Sequence, residues 1–75
     1  MTRIRRMNAS DVERILKQYG FEFISQKGSH RKWRHLESQL QAIVPYHKGK
    51  NLPIGTLRNI MLSANIPEAE WKTLD

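Results

Sequence analysis

At Gly20 the apolar pattern of the chain changes period, from three-and-four spacing before it to strand-like residues after it. Val12, Ile15, Leu16 and Tyr19 fall at i, i+3, i+4 and i+7, one stripe on a helix face. Ser10 followed three residues later by Glu13 predicts a capping box at the helix start, and Gly20 predicts its left-handed end. Phe21 to Gln26 is aromatic and β-branched, as a strand requires, and Lys27-Gly28 reads as a turn. His30 to Leu36 predicts a second strand, Glu37-Ser38-Gln39 a polar connection, and Leu40 to Val44 a third strand stopped by Pro45. Links this short favour an antiparallel meander. After a polar loop, Leu57, Ile60, Met61 and Ala64 form a second helical stripe, with Thr56 as its expected cap and Asn65 as its end. Ile66 to Trp71 predicts a last short turn with Pro67 at its first position, and Trp71 is expected to fold back on the core.

The expected fold is therefore α+β, ordered α-β-β-β-α, in a single domain over residues 1–75 with a basic N-terminal extension over 1–9. A chain of 75 residues holds one small core. It has no cysteine, which excludes disulfides, zinc thiolates and thiol nucleophiles. No spacing of His, Asp and Glu suits a metal, and the glycines form no nucleotide-binding loop, so neither a metal nor another cofactor is expected. The arginine-rich start is followed by no apolar segment of a signal peptide, and no stretch approaches membrane-spanning length. A cytoplasmic protein without a membrane partner is the expectation.

A formal charge of +6 favours nucleic acid or an acidic protein as partner. Lys27, Arg31, Lys32, Arg34, Lys48 and Lys50 all lie between the first glycine turn and the second loop, with all three histidines among them. Alternation along the second strand puts His30, Lys32 and Arg34 on one face and Arg31, Trp33 and His35 on the other. Trp33 is expected to meet the helices, which leaves His30 on the solvent face between two cations and the turn. Histidine holds both protonation states near neutrality, so His30 suits proton transfer in cutting a phosphodiester. Lys27, Lys32 or Arg34 would stabilise charge developing on phosphorus, and the Gly28-Ser29 N–H groups could donate to it. His35 reads as structural. His47 is the candidate for a second functional group, with Lys48 and Lys50 as phosphate anchors. Ser29 and His30 point to opposite sides of a strand and make no triad.

Gly20-Phe21, Gln26-Lys27-Gly28-Ser29-His30, Pro45-Tyr46-His47 and Gly55-Thr56-Leu57 with Ile60, in this order and spacing, resemble the HicA (YcfA-like) family of toxin mRNA interferases. The likeness runs from about Ser10 to Ile66. The resemblance implies a double-stranded-RNA-binding-domain-like fold with both helices on one sheet face. It implies a metal-independent ribonuclease that cleaves mRNA, inhibits translation and is neutralised by a HicB-type antitoxin. The family's functional histidine falls on His30. Two function classes follow: an RNA endonuclease acting through His30, with Lys27, Ser29, Lys32, Arg34, His47, Lys48 and Lys50 as RNA contacts, or a non-catalytic RNA-binding module using the same basic face.

Overall fold

A computed structural model describes residues 6–72. The elements run α1 (Ala9–Gln18), β1 (Phe21–Lys27), β2 (His30–His35), β3 (Gln41–Pro45), α2 (Ile54–Ala64) and α3 (Glu68–Lys72). The strands form one antiparallel sheet in the order β1-β2-β3, with β2 in the middle. This is the α-β-β-β-α order, with a short terminal helix, that the periodicity predicts. The first five residues of the basic extension expected over 1–9 lie outside the described residues. Met7 is fully buried, and its carbonyl accepts a 2.8 Å bond from Leu52 N.

The start of α1 corrects the sequence reading. Asn8, not Ser10, caps the helix: its side chain accepts from Asp11 N at 2.9 Å, and Asp11 Oδ2 accepts from Asn8 N at 3.3 Å. The reciprocal pair closes two residues upstream because Glu13, the other half of the expected box, is buried and used elsewhere. Asn8→Ala is expected to cost about 1 kcal/mol and Ser10→Ala only a few tenths, as read by urea unfolding. Equal losses at the two sites would restore the Ser10 cap. Thr56 is likewise not a cap. Helix α2 begins at Ile54 after Pro53, with no side-chain cap bond, so Thr56 lies inside its first turn.

The other boundaries fall close to their expected places. Gly20 has φ +89° at the end of α1, and Asn65 ends α2 in the left-handed region at φ 53°. Strand β2 stops at His35 rather than Leu36, because the connection to β3 closes there: Gln39 N donates to His35 O and His35 N to Leu40 O. The His35 ring braces the same turn, its Nδ1 accepting from Glu37 N and Ser38 N. His35 is structural, as expected.

Val12, Ile15 and Leu16 of α1, Trp33, Ala42 and Val44 of the sheet, and Leu57, Ile60, Met61 and Ala64 of α2 form one core. Both helices thus cover the sheet face that carries Trp33. Trp71 folds back as predicted: it is 1% exposed, and its Nε1 donates to Ile66 O at 3.2 Å. Pro67 precedes α3 rather than opening it, and its carbonyl accepts from Glu70 N. Glu70 of α3 lies near the Tyr19 hydroxyl, just past the end of α1. Interaction with the Glu70 carboxylate, with a smaller contribution from desolvation, raises the Tyr19 phenol above its ordinary 10.0.

Candidate functional site

The β1–β2 hairpin builds the site. Its loop is Gly28-Ser29, in which Gly28 takes φ +58° and Ser29 does not leave negative φ. That is the φ pattern of a type II′ turn, with glycine at the first central position. Gln26 Nε2 donates to Gly28 O at 2.9 Å and braces the turn. Lys27 and His30 are consequently the terminal pair of the hairpin.

A bulge in β1 decides which side chains accompany them. Phe23 faces Trp33, but the next pair is Ser25 with Lys32, so Ile24 is the extra residue. Without it, alternation from Phe21 would turn Lys27 toward the helices. With it, Ser25 and Lys27 share the outer face with His30, Lys32 and Arg34. His30 and Lys27 are exposed, while Ser29, Lys32 and Arg34 are half-buried. The His30 imidazole makes no hydrogen bond with any described residue. Glu22 stands opposite Arg34 at the far end of the hairpin.

The third strand brings the second histidine segment to the same end of the sheet. His30 pairs with Pro45, and Tyr46 N donates to Ser29 O at 2.7 Å. His47 therefore begins one residue from a direct bond to the Gly28-Ser29 turn, although no hydrogen bond joins the two imidazoles. His47 and Lys48 border a shallow groove with Asn8, Ala9, Ser10 and Tyr46. Lys50 follows in the same loop, which is tied to the start of α1 where Asn51 pairs with Asn8 in an isolated bridge. The structure thus gathers Lys27, His30, Lys32 and Arg34 on one surface, with Ser29 in the turn beside them, while His47, Lys48 and Lys50 belong to the loop that runs past the start of α1.

Arg31 is not a free cation of this surface. On the helix side its guanidinium lies between two rings, 4.7 Å from the Phe23 centroid and 4.9 Å from that of Tyr46. Its Nε is 2.8 Å from Glu13 Oε2, an ion-pair distance, with the N–H not aimed along a hydrogen bond. The same Glu13 oxygen accepts from Trp33 Nε1 at 2.8 Å. This buried assembly went unread in the sequence. Its signal was an acid at the margin of the α1 stripe, together with Arg31 and Trp33 two apart on the inner face of β2.

Among the described residues no group of three His, Asp or Glu side chains could hold a metal, and no helix is long and apolar enough to cross a membrane. The family model for the HicA toxin of bacterial toxin–antitoxin systems matches residues 9–66. The chain belongs to the HicA toxin family. The matched span opens on the first residue of α1 and closes just after α2, so it contains the hairpin, His30 and His47, while α3 lies beyond it. As a HicA toxin the chain implies an antitoxin partner. A comparison with curated proteins returned no match.

Proposed function

We propose that the protein is a cytoplasmic mRNA interferase, a metal-independent endoribonuclease in which His30 acts as general acid or base and which a HicB-type antitoxin neutralises. The observation that carries this reading is the unbonded, exposed His30 of a HicA toxin, held at a fixed hairpin end beside Lys27 and in line with Lys32 and Arg34.

The chemistry needs three things: removal of the 2′-hydroxyl proton, stabilisation of charge on phosphorus, and return of a proton to the leaving 5′-oxygen. The His30 ring is open to solvent and therefore to the backbone of an RNA strand. Lys27 lies across the hairpin from it, and Lys32 and Arg34 extend the same face, so a phosphate at His30 meets fixed positive charge. Ser29, His47, Lys48 and Lys50 are assigned as further RNA contacts, with His47 the candidate to share the proton transfers.

Attack by the 2′-hydroxyl leaves a characteristic pair of ends. Purified protein incubated with a long RNA in the presence of a chelator should yield fragments with 2′,3′-cyclic phosphate and 5′-hydroxyl termini. RNA that is bound and left intact would instead make the chain a binding module. Cleavage only on adding a divalent cation would sink the metal-independent mechanism.

A further inference from the structure

The residues flanking His30 are both fastened by Tyr46. On one side the Ser29 carbonyl accepts the 2.7 Å bond from Tyr46 N. On the other, the Arg31 guanidinium packs between the Tyr46 and Phe23 rings and reaches Glu13. The Tyr46 hydroxyl lies 3.4 Å from Ser10 Oγ, linking the stack to α1. His30 itself has no side-chain partner, so its placement depends on the backbone on either side. We infer that Arg31 and Tyr46 are positioning residues for His30: the Phe23–Arg31–Tyr46 stack fixes the β2 backbone so that the His30 Cα–Cβ bond leaves the outer face in a constant direction. The inference rests on the nuclease reading of His30 for its catalytic consequence, but not for its structural one.

The stack needs Arg31 for its plane as well as its charge. A guanidinium lies flat between two rings and retains its charge, whereas an ammonium is a compact, strongly hydrated point. Arg31→Lys therefore keeps a cation near Glu13 and removes the stacking. Tyr46→Phe keeps the ring and the backbone bond and loses only the hydroxyl. Tyr46→Leu keeps the backbone bond and an apolar side chain but removes the ring. None of the three touches the outer face that would hold RNA.

The test combines two readouts, with a melting curve for each variant to establish that it is folded. In multiple-turnover cleavage, Arg31→Lys and Tyr46→Leu should lower kcat at least about tenfold with KM within about twofold, and Tyr46→Phe should stay near wild type. NMR relaxation of the His30 backbone amide, which needs no activity, should show a mobile backbone in Arg31→Lys and Tyr46→Leu and an ordered one in wild type and Tyr46→Phe. If the His30 backbone is equally ordered in all four proteins, or kcat is unchanged in Arg31→Lys and Tyr46→Leu, the positioning role is wrong. If wild type cuts no RNA while the relaxation pattern holds, the nuclease reading fails and the positioning of His30 stands.

Discussion

His30→Ala should abolish RNA cleavage, with a loss of roughly 10²–10⁴-fold, equivalent to about 3–5 kcal/mol of barrier. Folding and RNA affinity should change little. The reason is geometric: His30 is exposed, bonds to no described side chain, and sits outside the core, so its removal leaves no cavity and no orphaned partner. Its contribution to binding is one contact among several cations, and those remain. The measurement pairs single-turnover cleavage with a binding isotherm and a melting curve for the same preparation. An alanine variant that cuts as fast as wild type would remove His30 from the chemistry. A variant that no longer melts cooperatively would show that the hairpin end is structural.

Glu13→Ala should be the most destabilising single change outside the hydrophobic core, at about 3 kcal/mol in urea unfolding. One buried carboxylate oxygen accepts from Trp33 Nε1 and forms the ion pair with Arg31, and its loss leaves a buried indole donor without an acceptor and a mostly buried cation without its counter-charge. In a domain of this size that is a large share of the total stability. Glu13→Gln separates the two functions, since its amide oxygen still accepts from Trp33 but carries no charge for Arg31. It should lose less than the alanine variant. Loss of under about 0.5 kcal/mol in Glu13→Ala would mean that water satisfies both donors and that the assembly is peripheral.

The faces of the sheet were legible because period two is a local property. Trp33 had to be inside, and its position alone fixed the sides of His30, Lys32 and Arg34. The stripes of α1 and α2 were legible for the same reason, as was Trp71. What escaped the sequence depends on partners distant along the chain. Two capping patterns overlap at the start of α1, and only the packing of Glu13 against Trp33, twenty residues on, decides that Asn8 is the one used. Arg31 counted as one cation of a basic run, whereas the fold places it between two rings beside an acid. His47, Lys48 and Lys50 read as part of the basic sheet surface, whereas the loop that carries them runs beside the start of α1, through the Asn8–Asn51 bridge and the groove shared with Ala9 and Ser10. The bulge at Ile24 could not be placed, since a strand with one residue too many reads like any other strand.

That extra residue has a consequence for solubility. Strand β1 forms an outer edge of the sheet, seven residues long, and leaves Phe23 and Ile24 well exposed at 45% and 39%. A straight edge of that composition is a template on which strands of other molecules can add. At Ile24 the backbone kinks and its row of donors and acceptors falls out of step, so an incoming strand finds no continuous ladder to join. Deleting Ile24 would straighten the edge and invite self-association, which makes the residue a guard against aggregation.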